Sequence, residues 1–339
     1  MNDAFNIIPL QNPSFLYPLD PLATKFISEK LPKSGSKIEL MKHDILLSAL
    51  GNSNQLNFDD SYRNIGIIFN ETNPLPVEEI NKLKKFELII CGSTWNSSAL
   101  QKLGLKTETV IQGIDLDLFR SSPKKYLKDK FVIFSGGKLE YRKGQDLLLK
   151  AFSRFAEKHQ DVVLITAWRS PWERTIAESI NASKVCEPIV ASEDMGRSIQ
   201  EWIAKNGVGL DQVICLDAVP NRLMPEIFRE VDLAVFPNRC EAGTNLVAME
   251  ALAYGLTCLI SQNTGHLDLI KDHNCLPLTE QKPIHGLGTV DWGESSVEEI
   301  ISLMEQCYEG KKINPSIARE SMINHSWKNA IDSVLSLLH

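Results

Sequence analysis

FVIFSGGKLEYRKGQDLLLKAFSRFAEKHQDVVLITAW, running from Phe131 to Trp168, decides the fold. Phe131–Phe134 is a short apolar run closed by Ser135-Gly136-Gly137, and it reads as a buried strand. Gln145–His159 then repeats apolar residues at helical spacing. Val162–Trp168 is a second apolar run of strand length. Strand, helix and strand in immediate succession form a β-α-β unit, so the two strands lie parallel in one sheet.

The alternation continues outward. Residues 194–206 read as a helix, Val213–Asp217 as a third strand, Met224–Glu230 as a short helix and Leu233–Phe236 as a fourth strand. Asn245–Tyr254 is a helix stopped by Gly255, a residue suited to the left-handed position beyond a helix C-terminus. Leu256–Ser261 is a fifth strand. Repeated units of this kind predict a parallel sheet with helices on both faces, and ligands bind such sheets at the carboxyl ends of the strands. Toward the N-terminus the rhythm weakens. Lys37–Met41, Ile45–Leu50, Ile65–Phe69 and Phe86–Cys91 are strand candidates, and 77–85 and 96–103 helical ones. Residues 1–35 are rich in Pro and have few periodic positions. SSPKK at 121–125 reads as a linker, and Val297–Cys307, Ser316–Ile323 and Trp327–Leu338 as three closing helices.

Composition bounds the rest. At about 150 residues per domain, 339 residues predict two domains or one large one. A net charge of −7, from 36 basic and 43 acidic side chains, argues against general nucleic-acid affinity. Residues 1–130 carry 16 basic and 15 acidic groups, so the acidity lies in the remainder. That near-neutral part could approach a membrane surface or a protein partner, although a random split of solvated charge explains it better. Seven single cysteines without a C-x-x-C pair point to reduced thiols and a cytoplasmic setting. No secretory signal and no apolar run of membrane-spanning length is expected.

Two strand-end loops carry chemistry. Gly136-Gly137-Lys138 through Lys143-Gly144 combines glycines, basic residues and a following helix start, which suits a phosphate or else a tight turn with solvated lysines. Gly243-Thr244-Asn245-Leu246 opens another helix with unpaired N–H groups and a capping side chain. Within that helix Glu250 has Leu246, Val247, Ala253 and Tyr254 as its neighbours, so its carboxylate is buried and needs partners. Those partners are ligand hydroxyls or an arginine such as Arg239. His266, after the fifth strand, reaches the same sheet edge. Asp115 and Asp117 form a D-x-D pair, too short a pattern to establish a metal site, and Ser48 and Ser93 lack a hydrolase context.

Taken together these loops resemble the retaining family 4 glycosyltransferases with the GT-B fold. The likeness is good over roughly 86–338 and poor over 1–85. It rests on Gly113-Ile114-Asp115 with Phe119, on Gly137-Lys138 through Lys143-Gly144, on Pro237-Asn238-Arg239-Cys240-Glu241 through Glu250, and on Asp291-Trp292-Gly293 and Trp327. Two departures stand out. Eight residues separate Glu241 from Glu250 where the family has seven, and Lys138 replaces the usual arginine.

The resemblance implies an α/β chain of two facing Rossmann-like domains with parallel sheets, the N-terminal one short. Residues 1–125 would bind the acceptor and 126–320 a nucleotide-diphosphate sugar, with 321–339 crossing back to the first domain. The implied reaction is glycosyl transfer with retention, without metal or other cofactor, from a UDP- or GDP-sugar to a glycan, lipid-linked or protein acceptor. Lys138, Lys143 and Glu241 would act at the reacting centre. Gly136, Gly137, Gly243, Thr244, Asn245, Leu246, Glu250, Val219, Asn221 and His266 would hold the donor. Asn52 and Glu71 are candidates for the acceptor side, and His43 for the family's N-domain histidine. A nucleotide-sugar epimerase and a non-catalytic binding subunit are the alternatives.

Overall fold

The computed structural model describes residues 44–51, 62–170 and 176–338. The expected strand Lys37–Met41, His43 and Asn52 lie outside them. The first sheet holds β1 (Ile45–Gly51), β2 (Arg63–Ile68), β3 (Leu88–Cys91) and β4 (Thr107–Thr109), all parallel and in sequence order. Helices α1 (Val77–Leu83) and α2 (Thr94–Gln101) follow β2 and β3. Alternation along β3 sends its side chains to opposite faces. Ile89 and Cys91 pack with Leu83 and Leu100 on the side of α1 and α2, while Leu88 and Ile90 meet Leu338 on the other.

The second sheet contains β5 (Phe131–Gly136), β6 (Val162–Ala167), β7 (Val213–Cys215), β8 (Leu233–Phe236), β9 (Thr257–Ser261) and β10 (Leu276–Leu278). Its order is β10-β9-β8-β5-β6-β7, again all parallel. The intervening helices are α3 (Gln145–Ala156), α4 (Met195–Lys205), α5 (Met224–Phe228) and α6 (Leu246–Tyr254). From β5 the chain builds outward to β6 and β7, then returns to place β8 on the opposite side of β5. The order therefore reverses between β5 and β8, where a crevice opens at the strand ends. A two-stranded antiparallel ribbon, β11 (Gln281–Pro283) and β12 (Gly293–Ser295), precedes α7 (Val297–Tyr308), α8 (Pro315–Glu320) and α9 (Trp327–Leu337).

Packing follows composition. LVAMEALAY is apolar around nearly its whole circumference, as a helix enclosed on all sides requires, and α6 is buried from Ala248 to Tyr254. Gly255 ends it at φ 92°, in the left-handed region expected of it. The chain flanking helix α9 returns to the first half: before the helix, the His325 carbonyl accepts the Ile114 N–H at 2.9 Å, and just after it, the Leu338 carbonyl accepts from Arg63 on β2 at 3.3 Å. No helix among the described residues is long and apolar enough to cross a membrane.

Three differences from the sequence reading have local causes. Helix α2 starts at Thr94 rather than 96, because the Ser93 hydroxyl accepts the Asn96 N–H and caps it. Strands β4, β10, β11 and β12 escape the pattern because three residues are too few to show a period. The 121–125 segment is no loose linker. The N–H groups of Lys125, Tyr126 and Leu127 all donate to the Glu230 carboxylate, and Lys124 pairs with Asp232 at 2.5 Å.

Burial alone would raise the Glu230 carboxyl, but those N–H groups and Arg229 outweigh it and hold it near 2. Its stabilising contribution is therefore complete above about pH 4.5 and lost as the pH falls toward about 2. Glu230→Gln should lower unfolding free energy at pH 7 by about 1.5–3 kcal/mol, read by urea titration, and the deficit should shrink on acidification through that window.

Candidate functional site

The loops after β5 and β8 meet at the reversal of strand order. Gly144 makes the close approach possible: its φ is 70°, and a Cβ there would lie 2.1 Å from the Pro237 carbonyl oxygen. The Arg239 N–H donates to the Arg142 carbonyl at 2.7 Å, binding the two loops backbone to backbone. The Gln145 amide returns to the Lys138 carbonyl at 2.7 Å and fixes the turn after Gly136 and Gly137.

Below this contact lies a buried ion cluster. Arg239 is fully enclosed, and its guanidinium forks onto both oxygens of Asp146 at 2.8 and 2.7 Å. It also reaches Glu294 on β12 at 2.9 Å and the Tyr141 carbonyl at 2.7 Å. The alternative partner foreseen for Arg239 was Glu250; Asp146 and Glu294 occupy it instead.

Toward the crevice sits a second cluster. A single 3-10 turn, Tyr141–Lys143, sends Arg142 inward and places Lys143 against Glu241. The buried Glu241 carboxylate receives Lys143 and the Asn238 amide on one oxygen and Arg142 on the other at 2.9 Å. Arg142 also donates to Glu140 at 2.6 Å and to the Cys240 carbonyl at 2.9 Å, and lies 3.4 Å from Glu71. Lys138, half-exposed, stands 3.6 Å from Glu140.

Burial opposes every charge here, yet the pairing prevails for two of the three groups. Burial would raise the Glu241 carboxyl, but Lys143 and Arg142 hold it far below the carboxylate range. Burial would lower the Arg142 guanidinium, but Glu241, Glu71 and Glu140 raise it. For Lys143 burial wins, with Arg142 adding to it and Glu241 opposing, so its ammonium is held below the ordinary value.

Helix α6 forms the other wall. Its cap, Asn245, sits at φ 68° and accepts the Ala248 N–H at 3.4 Å. The Asn245 amide donates to His266 Nε2 at 3.1 Å, while His266 Nδ1 faces the Ser261 hydroxyl at 2.8 Å. That network assigns the ring proton to Nδ1. Burial pulls His266 down to about 4, against the attraction of Glu241, so the ring is neutral at pH 7. His266 has no exposed surface, so it reaches the crevice through Asn245.

The segment after Glu241 is equally tied. The Ser93 hydroxyl of the first sheet's α2 cap donates to the Ala242 carbonyl at 2.6 Å. The Thr244 hydroxyl contacts Met249 Sδ at 3.0 Å, and Gly243 and Thr244 are buried beside it, while Leu246 is half-buried.

Glu250 differs from the other acids. It is 8% exposed, and among the described residues its carboxylate takes one hydrogen bond, from the Asn221 amide at 2.7 Å. Burial pushes it up to about 7, with Asn221 opposing. Val219 is half-buried in the same segment. A cavity of about 400 Å³ begins next to it, lined by Leu216, Asp217 and Arg169; a larger one of about 500 Å³ lies at the β11–β12 ribbon, away from these groups.

The structure thus brings Lys138, Lys143, Glu241, Asn245, His266 and Glu71 into one connected array, with Glu250 on the adjoining helix and Asn221 reaching it from the turn before α5. The D-x-D residues serve a turn: Asp115 accepts the N–H groups of Asp117 and Leu118 at 3.0 Å each, and Asp117 pairs with Arg120. Sequence reasoning missed Arg142, Asn238, Asp146 and Glu294. Arg142 was legible only as part of a basic loop, and nothing in the spacing marks it as the buried member.

Residues 117–285 match the family described as Glycosyl transferases group 1. No curated protein matches the sequence. Among solved structures the chain is similar to sucrose-phosphate synthase from Thermosynechococcus elongatus, with TM-score 0.60 and 14% identity over 81% of this chain and 67% of that one. It is similar to Anabaena HepE in complex with UDP-glucose, with TM-score 0.61 and 15% identity over 82% and 72%. Trehalose-6-phosphate synthase OtsA gives 0.60 and 15% over 82% and 67%. The fold is that of GT-B glycosyltransferases, parallel sheets flanked by helices.

Removing Arg239 strands the Asp146 carboxylate in the interior and takes the partner from the partly exposed Glu294. Arg239→Met should destabilise the protein by about 3–5 kcal/mol in urea unfolding. Adding Asp146→Asn to Arg239→Met should recover part of that loss.

Proposed function

We propose that this protein transfers a glycosyl group from a nucleotide-diphosphate sugar, UDP- or GDP-linked, to an acceptor, with retained configuration and without a metal ion. The observation that carries the reading is Glu250. A buried carboxylate without a cation is costly, and a ligand offering hydroxyl donors resolves that cost. A ribose does so, and the group 1 family match over 117–285 and the UDP-glucose complex of a structural relative support it.

The donor would lie across the β5–β8 crevice. Lys138 and Lys143 would meet the diphosphate, together with N–H groups at the start of α6. Glu250, joined by Asn221, would take the ribose hydroxyls, and the Leu216–Asn221 segment with Val219 would face the base. Glu241, held in place by Arg142 and Asn238, would bind the sugar. As the glycosidic bond breaks, negative charge grows on the leaving diphosphate. Fixed cations lower that barrier; at about 4 Å and an effective dielectric near 20, each contact is worth roughly 4 kcal/mol before desolvation. The leaving phosphate would accept the acceptor's proton.

The decisive assay incubates purified protein with UDP- and GDP-sugars, with and without glycan acceptors. Consumption that requires an acceptor supports transfer. Isomerised sugar without acceptor indicates an epimerase, and binding without turnover a binding subunit.

Two further outcomes are expected. Activity should persist in EDTA, since Lys138, Lys143 and the helix termini already supply positive potential; complete loss restored by manganese or magnesium would overturn metal independence. For Glu250, a raised carboxyl means that its ionisation weakens the unliganded fold between about pH 4.5 and 7. Glu250→Gln should therefore melt no lower than wild type at pH 7.5, with the difference vanishing below about pH 4.5. It should also bind the nucleotide about 10- to 150-fold more weakly by titration calorimetry. Wild-type nucleotide affinity should rise with pH through about 7, because donors from the ribose favour the charged carboxylate.

A further inference from the structure

Arg142 connects the two sheets. Two of its N–H groups, both on Nη1, reach Glu241 and the Cys240 carbonyl, and Nη2 reaches Glu140. All three acceptors belong to the second half of the chain. Its Nε faces the other way, toward Glu71 Oε1 at 3.4 Å. Glu71 belongs to the loop after β2 of the first sheet. That loop is itself held: the Trp292 indole donates to the Glu71 carbonyl at 3.0 Å, and the ring of Trp292 stacks on Tyr141, the residue before Arg142. Both side chains are mostly buried, 10% exposed for Arg142 and 22% for Glu71.

We infer that Glu71 is a positioning residue: from the first sheet it orients the Arg142 guanidinium, and through it the carboxylate of Glu241. The need becomes acute on donor binding, a step that rests on the nucleotide-sugar reading above. Once Lys143 turns to a diphosphate, Glu241 keeps Arg142 and Asn238. A guanidinium fixed at three corners but not the fourth can pivot, and a planar fork that pivots loses its geometry with the carboxylate. Glu71 meets the Nε edge as an ion pair at 3.4 Å. The contact engages one carboxylate oxygen of Glu71, the residue the sequence suggested for the acceptor side.

The test begins with ligand-free protein. Glu71→Gln keeps shape and removes charge. Amide hydrogen exchange in 140–144 and 238–245 should rise about 5- to 30-fold, corresponding to about 1–2 kcal/mol of local opening. In an Arg142→Lys background, Glu71→Gln should add no further rise. With donor and acceptor, Glu71→Gln should lower kcat about tenfold and leave the dissociation constant of the nucleoside diphosphate within about twofold. Glu71→Asp, charged but one methylene shorter, should fall between Gln and wild type in every readout. It also serves as the test variant if Glu71→Gln fails to fold. Unchanged exchange in those segments, or an equal rise in the Arg142→Lys background, would overturn the role of Glu71. A wild type inert toward every nucleotide sugar would instead overturn the proposed function, and the exchange result would still decide this one.

Discussion

A guanidinium sealed from water has to find its counter-charges inside the protein, and Arg239 imposes that requirement on everything around it. Its fork takes both oxygens of Asp146 in the first turn of α3, so the loop after β8 and the helix after β5 hold one relation to each other. Its third contact, Glu294, draws in the β11–β12 ribbon, and its backbone N–H secures Arg142. With these fixed, Lys143 and Glu241 face each other across the crevice. Breaking such a pair costs far more than the pair adds relative to an apolar replacement.

The outer cluster is balanced. Lys138, Arg142 and Lys143 face Glu71, Glu140 and Glu241. On the proposed reading, an incoming diphosphate has to draw the lysines away from carboxylates that already satisfy them. Part of their attraction for a ground-state ligand is thus offset. The cations still stand where leaving-group charge would grow, and interactions that strengthen in the transition state are the ones that raise turnover. Glu250 stands apart. With one amide partner and a carboxyl raised to about 7, it is the acid whose protonation a ligand changes most readily.

Contact between the sheets is polar and local. The Ser93 hydroxyl meets the Ala242 carbonyl, the Thr94 N–H meets Asp268 at 2.7 Å, and the Trp95 indole meets Asp291 at 3.2 Å. Each contact uses the start of α2 or a strand-end loop, the parts of an α/β unit where backbone groups lack partners within the element. Helix α9, by contrast, joins the first sheet through apolar packing of Leu338 against Ile65, Leu88 and Ile90. The sheets are thus tethered by an apolar strap on one side and by separable hydrogen bonds near the crevice.

Periodicity by itself determined the architecture. The runs at Phe131–Phe134, Val162–Trp168, Leu233–Phe236 and Leu256–Ser261 can only be strands enclosed by helices, because so many apolar residues in so short a span must be covered on both faces. Loop chemistry marked Lys138, Lys143 and Asn245, since glycine, charge and helix starts are visible one residue at a time; Glu250 stood out as an acid on an apolar helix face, and Glu241 was marked only by the family resemblance. Pairing was not visible. Arg239 could have met Glu250, and its commitment to Asp146 and Glu294 depends on strand order and on a three-residue strand too short to show a period. Arg142 looked like its basic neighbours until a 3-10 turn rotated it inward. Its meeting with Glu71 joins residues from different sheets, and no local pattern encodes a contact that exists only once both sheets have formed.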